Sequence, residues 1–435
     1  MTRTAAFSAV ALVGAAVASP AAAAPLLAHQ APLVIDNAAT AWILTSTALV
    51  LLMTLPGLAL FYGGMVRKKN IISVIAQSAA AFAIVSVLWF LVGYSLSFGK
   101  GPEAVNGLIG GVQAAFLNGV TMQTAHSLLP GLPELLFVSF QMTFAIITPA
   151  LIAGAFAERM KFSASLLFFA LWHLIVYAPI CHQVWGGGYL GGLGVLDFAG
   201  GAVVHVSAGV AGLVCALVLG PRHGFGRDNM APANLVYSAI GTGLLLVGWI
   251  GFNAGSAGAA DALAATAAFN TILAAGAAAL SWMAVEWFDR KRPTLLGLLS
   301  GIVGGLVAIT PAAGFVDPKG AFFIGLIAGP ACYAGAVWLK HALKYDDSLD
   351  AFGVHGIGGI VGALLTGVFA TTSVNALSEG ATVWKQALGL GGAIVWSAVG
   401  TFVVLMICKF TTGLRVTKDE EVEGLDYTQH GEAIH

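Results

Sequence analysis

Beyond residue 40 the chain is a succession of apolar runs, each near the roughly 20 residues that an α-helix needs to cross the hydrocarbon of a bilayer. Eleven can be marked, at about Ala41–Tyr62, Ile71–Phe98, Leu135–Ala157, Ser163–Ile180, Phe198–Gly220, Leu235–Asn253, Ala262–Phe288, Leu295–Thr310, Ala321–Leu343, Phe352–Thr371 and Gln386–Phe410. In hydrocarbon every backbone N–H and C=O must be satisfied internally, so open runs of this length become helices. The alternative, a soluble domain, fails on surface chemistry. Charged residues are 9% of the chain, against roughly 25% in ordinary soluble domains. Glycine, 56 of 435 residues, suits helices that pack through small side chains. A net charge of −1 argues against a nucleic-acid partner.

The basic residues orient these runs. Arg3 precedes an apolar stretch from Ala5 to Ala18, followed by Ser19, Pro20 and Ala21–Ala24, the pattern of a secretory signal peptide covering 1–24. With the mature N-terminus outside, fifteen Lys and Arg residues fall in cytoplasmic segments and three (Lys100, Lys319 and Lys385) in outer ones. That asymmetry is the positive-inside rule. It predicts a membrane domain over 25–410 and a cytoplasmic tail over 411–435.

Two histidines share one frame. His205 is followed by Gly209 and Gly212, and His355 by Gly359 and Gly362, so both read H-x3-G-x2-G. On a helix these positions lie on one face, and each imidazole stands above a strip bare of side chains, where another helix can approach. Each has an aspartate upstream, Asp197 and Asp350. Ionisable groups inside a membrane bundle are functional candidates. The histidines lie on the fifth and tenth runs, and two blocks of five must run in opposite directions. The expected fold is therefore an all-α polytopic membrane protein of eleven transmembrane helices, two inverted five-helix repeats plus one additional helix, with the histidines meeting near the midplane.

The stretches FYGG (61–64), FQMTFA (140–145), GAFAER (154–159), VWGGG (184–188), LDFAGGAVVH (196–205), GWIGFNAGSAG (248–258), FGVHGIGGIVG (352–362) and GLRV (413–416) resemble bacterial ammonium transporters of the Amt/MEP/Rh family. The resemblance runs from about Asp36 to the C-terminus, and Trp185 with Ser256 favours the Amt branch. It implies a homotrimer in the bacterial cytoplasmic membrane, with one pore per subunit for ammonium or ammonia. It also implies that Trp185, Phe144 and Ser256 recruit the cation outside, that Phe144 and Phe252 stack to close the pore, and that His205 and His355 line it. Elementary chemistry agrees with such a division. An indole face attracts a cation, a hydroxyl accepts its hydrogen bonds, and the large desolvation penalty of a buried ion favours neutral ammonia deeper in. Asp197 reads as an N-cap shaping the vestibule. Met142, Ala202 and Ser207 depart from familiar versions of the motifs beside the matched residues, and the outer loop 99–133 is the least recognisable part.

Other readings weigh less. A membrane metalloenzyme would need more than two imidazoles; no metal site, cofactor or catalytic residue is expected, and Cys181, Cys215, Cys332 and Cys408 show no CxxC spacing. A pure ammonium sensor would need a signalling domain that about 25 residues after the last run cannot supply. His173 reads as hydrogen-bonded packing and Glu286 as an i+4 partner of Arg290. The acidic tail, Asp419, Glu420, Glu421 and Glu423, reads either as solvated disorder or, by the resemblance, as a regulatory segment touching a neighbouring subunit's loops and answering to a PII-type signal protein.

Overall fold

The computed structural model describes residues 31–32 and 34–434, so the expected signal peptide lies outside the described residues. Apart from a two-residue antiparallel pairing, β1 (Ala31–Pro32) with β2 (Thr124–Ala125), the regular structure is helical. Among the described residues ten helices are long and apolar enough to cross a membrane: α1 (Asn37–Met65), α2 (Lys68–Phe98), α3 (Glu134–Phe156), α4 (Phe162–Gly192), α5 (Gly201–Leu219), α6 (Leu235–Gly255), α7 (Ala262–Arg290), α9 (Pro318–Leu343), α10 (Phe352–Phe369) and α11 (Val383–Thr411). The remaining apolar run forms α8 (Leu295–Ile309), which at 15 residues reaches only about 22 Å. It ends at Pro311, which brings no N–H of its own to continue the ladder, and Thr310 before it is the C-cap, still in right-handed helical backbone. The chain then turns through buried Ala312, Ala313, Phe315 and Val316. Such irregular backbone is tolerated at depth only when covered by protein. Here Pro311 O accepts from Phe198 N at 3.1 Å and Phe315 O from Thr371 N at 2.9 Å.

The two histidine helices begin alike. Each opens with a wider π-helical stretch, Gly201–Val206 in α5 and Phe352–Gly356 in α10. Five residues before each histidine the backbone is left-handed, at Gly200 (φ 114°) and Asp350 (φ 59°). Eight residues before each stands the aspartate that satisfies the free N–H groups of the helix start. Asp197 accepts from the backbone N–H of Gly200 (2.9 Å), Gly201 (2.5 Å), Ala202 (2.8 Å) and Val203 (3.1 Å). Asp347 accepts from Ala351 (3.0 Å) and Phe352 (2.7 Å). The counterpart of Asp197 is thus Asp347, and the sequence-based pairing of Asp197 with Asp350 is corrected: Asp350 occupies the position of Gly200 and pairs with Lys340. Burial pushes the Asp197 carboxyl up, and its four N–H donors oppose that rise.

At the end rich in basic residues a buried charged knot ties four connections together. Arg222 donates to Asp346 through its backbone N–H (2.7 Å), Nε (2.9 Å) and Nη2 (2.8 Å), and through Nη1 to Glu158 (3.2 Å). Glu158 also accepts from the N–H (2.6 Å) and Nε (2.8 Å) of Arg67. Arg159 closes the group, reaching Ser348 Oγ and the Asp346 carbonyl, both at 2.6 Å. The α1–α2, α3–α4, α5–α6 and α9–α10 connections are thereby held as one unit.

The acidic tail is folded onto this knot. It forms α12 (Lys418–Glu423), started by a Thr417–Glu420 capping box, and α13 (Leu425–His430). Glu421 accepts from Arg415 Nη2 (2.7 Å) and the His223 N–H (2.5 Å), Asp426 from the Ser73 N–H near the start of α2 (2.8 Å), and Gln429 Oε1 from the Phe162 N–H (3.2 Å). Solvated disorder does not describe it. The segments it touches within its own chain are those that carry His223, Ser73 and Phe162.

Removing one member of a buried ion pair strands the other, at about 3–5 kcal/mol. Arg222→Ala is therefore expected to lower the unfolding midpoint of the detergent-purified protein sharply, and Arg222→Lys to restore only part, since an ammonium cannot copy the guanidinium fork. Burial alone would raise the Asp346 carboxyl, but hydrogen bonds and charge from Arg222, with Arg159, hold it below its usual 3.8. A depressed carboxylate contributes stability above that value and loses it as the pH falls further. The wild-type midpoint should thus drop with acidification below about 3.8 more steeply than that of Arg222→Ala. Equal midpoints for wild type and Arg222→Ala would contradict the assignment.

Candidate functional site

The residues singled out in the sequence converge along one line through the bundle. At its wide end lies a vestibule of about 340 Å3 lined by, among others, Phe140, Phe144, Trp185, Asp197, Phe198 and Ser256. Trp185 follows the last turn of a helical stretch ending at Val184, and its indole N–H donates to the Asp197 carbonyl at 2.8 Å. Asp197 therefore fixes the vestibule twice, with its carboxylate on α5 and its carbonyl on the indole. The Ser256 hydroxyl donates to the Phe252 carbonyl at 2.8 Å, which leaves its lone pairs as acceptors.

Below the vestibule Phe144 from α3 and Phe252 from α6 stack with centroids 4.2 Å apart and planes at 24°. Phe144 also meets Trp185 edge-on at 5.9 Å and Phe140 at 5.0 Å, the latter from the same face of α3. Both members of the stack are buried. The stack lies between the vestibule and the histidines, with the Phe252 ring 5.9 Å from that of His205.

Beneath the stack His205 and His355 meet. Their Nδ1 atoms are 3.3 Å apart and their rings lie 5.4 Å apart at 19°. A neutral imidazole has one donor and one acceptor nitrogen, so one ring donates to the other through Nδ1 and each keeps its Nε2. His205 Nε2 has no hydrogen-bond partner among the described residues. The crossing needs glycine at two places: a Cβ on Gly209 would fall on the Gly356 backbone, and one on Gly359 would lie 2.8 Å from the Val206 side chain. Here the H-x3-G-x2-G frame has its physical meaning. Beside the imidazoles is a gap of about 10 Å3, room for roughly one water-sized molecule, walled otherwise by apolar and aromatic side chains.

Two contributors were not singled out in the sequence. Trp249, one turn before Phe252, stacks on His205 (5.2 Å, 21°) and packs against Phe252 (5.5 Å). It sits inside the quoted GWIGFNAG stretch, and its i, i+3 spacing from Phe252 is the available clue. Thr310, which receives the Trp249 indole N–H at 2.9 Å, had no such signal. His173 is buried as expected, stacked on Tyr177 at 5.6 Å, but neither ring nitrogen finds a hydrogen bond among the described residues. Glu286 reaches Arg290 only at 4.0 Å, and its closer partners are the N–H (3.0 Å) and hydroxyl (2.9 Å) of Thr294. Among the described residues no group of three or more His, Cys, Asp or Glu side chains is placed to hold a metal ion.

The same chain matches known proteins over nearly its whole length. A family model described as the Ammonium Transporter Family matches residues 41–434. The chain is 50% identical over 401 residues to an ammonium transporter of Bacillus subtilis, covering 89% of this chain and 96% of that one. It is 48% identical over 410 residues to an ammonium transporter of Aquifex aeolicus, covering 92% and 94%. Among solved structures it is similar to Mep2 of Saccharomyces cerevisiae (TM-score 0.82, 38% identity, 89% of each chain) and to a protein titled Sensor Amt Protein (TM-score 0.82, 33% identity, 91% and 98%). With a family model spanning the membrane helices and tail, and relatives near half identity over almost their full lengths, the chain belongs to the ammonium transporter family.

Proposed function

We propose that this protein carries ammonium nitrogen across the bacterial cytoplasmic membrane by recruiting the cation at the vestibule and passing ammonia along the line beneath it. The observation that carries this reading is the order of environments: an aromatic and hydroxyl-lined mouth, a stacked phenylalanine lid, and a buried imidazole pair. At the mouth the faces of Trp185 and Phe144 attract a cation by about 0.5–2 kcal/mol, depending on desolvation, and Ser256 Oγ accepts a hydrogen bond from it. Asp197, its carboxylate already taken by four N–H groups, adds negative potential without becoming a ligand. Ammonium is not carried intact through the lid, because no counter-charge lies beneath to offset its dehydration. It gives up its proton to the bulk water that opens onto the vestibule above Phe144 and Phe252, and ammonia moves to the gap beside His205 and His355. There it can donate to or accept from imidazole nitrogens, and the pair, with one donor and one acceptor per ring, can relay a proton separately.

We further propose that α8 with its buried turn counts as the eleventh membrane element, and that α1–α5 and α6–α10 are inverted repeats with α11 outside them. The matched aspartate, left-handed residue and π-helical start before each histidine support this. In this topology the vestibule is extracellular and the Arg222 knot cytoplasmic, as the basic residues favour. The assembly is a homotrimer with a pore in each subunit. Its tail, seated beside the pore's inner end, is the element a PII-type protein would displace or lock.

Ammonium-dependent alkalinisation or acidification of proteoliposomes, together with solute flux, tests the central reading; liposomes indistinguishable from empty ones would refute it. Phe252→Ala should lower stability by about 3–5 kcal/mol and open a water leak measurable by stopped-flow shrinkage; a tight pore in this variant would remove the lid from the mechanism. His205→Asp or His355→Asp places a carboxylate where a bare cation can use it. Each should reduce selectivity for ammonium over potassium about tenfold or more, read as ion currents across a planar bilayer, and unchanged selectivity in both would reduce the pair to packing. Truncation after Thr412 should alter flux while membrane insertion stays intact, and unchanged flux together with unchanged response to a PII partner would dismiss the regulatory role of the tail.

A further inference from the structure

The pore line has a polar group with no obvious business there. Of the side chains around the gap beneath the lid, those of Met53, Leu58, Phe61, Ile147, Leu151, Leu245, Phe252 and Val303 offer no hydrogen-bonding group, and the imidazoles are the useful ones. The exception is Trp249, whose indole carries a strong N–H donor and no acceptor. Ammonia has a single lone pair, so a donor left free in a dry gap would hold it there, and an unsatisfied buried N–H is unfavourable in itself.

We infer that Thr310 is a positioning residue of this pore: it anchors the Trp249 indole against His205 and keeps the indole N–H out of the path of ammonia. Trp249 Nε1 donates to Thr310 Oγ1 at 2.9 Å, and Thr310 Oγ1 in turn donates to the Leu306 carbonyl at 2.7 Å. The hydroxyl proton is therefore committed to the helix, and a lone pair is what it presents to the indole. Both side chains are buried away from bulk solvent. The indole held in this way lies 21° from parallel to the His205 ring and packs on Phe252, touching the lid and the imidazole pair at once. Freed from Thr310, its N–H can turn to the passing ammonia, or to His205 Nε2, which is unpartnered among the described residues, in the tautomer where His205 donates through Nδ1. Either engagement slows the step that the gap exists to permit.

This inference rests on the ammonia-pore reading, and the experiment separates the two. Wild type, Thr310→Val, Thr310→Ser, Trp249→Phe and the double variant Trp249→Phe/Thr310→Val are reconstituted at matched amounts of folded protein, and ammonium flux is measured against concentration. Thr310→Val, near in shape but without the acceptor, should lose about tenfold in maximal flux while its half-saturating concentration stays within about twofold, because the vestibule is untouched. Thr310→Ser should retain wild-type flux. With the indole removed, Thr310→Val should add nothing to the effect of Trp249→Phe. Wild-type flux in Thr310→Val, impairment of Thr310→Ser to the same degree, or an additive loss in the double variant would each overturn the inference and leave the pore reading standing. If Thr310→Val does not fold, the serine and double variants still decide it. Absence of ammonium flux in the wild type would overturn both.

Discussion

Two imidazoles meeting inside an apolar bundle are the contact on which the rest of this structure depends. For their Nδ1 atoms to come within 3.3 Å, α5 and α10 must cross almost backbone to backbone, and only glycine at 209 and 359 leaves that space. The approach must also be aimed. Each helix begins with a left-handed residue and a π-helical stretch that turns its histidine inward, and each start is held by an aspartate accepting backbone N–H groups that would otherwise be orphaned at depth. The histidine frame, the glycine strip and the upstream carboxylates are thus parts of one device.

The two ends of the bundle handle polarity differently. At the vestibule Asp197 is committed to holding geometry: it binds backbone and, through its carbonyl, the Trp185 indole. The lining otherwise offers aromatic surface, the Ser256 hydroxyl and the side-chain amides of Gln141 and Asn375. At the opposite end charge is abundant and almost wholly internal, with Arg67, Glu158, Arg222, Asp346 and Arg159 joined across four connections and the tail docked over them. A weakly polar mouth can admit an ion and let it go, whereas a buried ionic knot resists removal of any one member. The tail, bound beside this knot through Glu421 on the His223 N–H and to α2 through Asp426, touches two of the connections between membrane helices.

Between these ends the gap beside the histidines is narrow and walled mostly by apolar and aromatic side chains. On the proposed route such a path discriminates by what it withholds. A dehydrated potassium ion would meet no fixed negative charge among the described lining residues, while a neutral molecule with both a donor and an acceptor would meet imidazole nitrogens of matching capacity. The stacked phenylalanines and Trp249 supply aromatic carbon, and Thr310 accepts the Trp249 N–H.

Much of this was already determined by the amino-acid sequence alone. Apolar run lengths required membrane helices because hydrocarbon leaves a backbone no other way to satisfy itself, and the frames around His205 and His355, with the motifs carrying Trp185, Ser256, Phe144 and Phe252, marked the line that the structure assembles. Helical periodicity and local motifs are short-range information, and they were legible for that reason. Only the tertiary structure decided which carboxylate does which job. Asp347 and Asp350 are three residues apart and equally acidic, and backbone conformation places one on the helix start and the other on Lys340. Likewise α8 ended short of a full span, Trp249 found Thr310 across 61 residues, and a tail that composition read as solvated was seated on loops up to 355 residues away. Each of these rests on a polar atom choosing a distant partner, a choice made when helices pack and one that no local pattern in the sequence encodes.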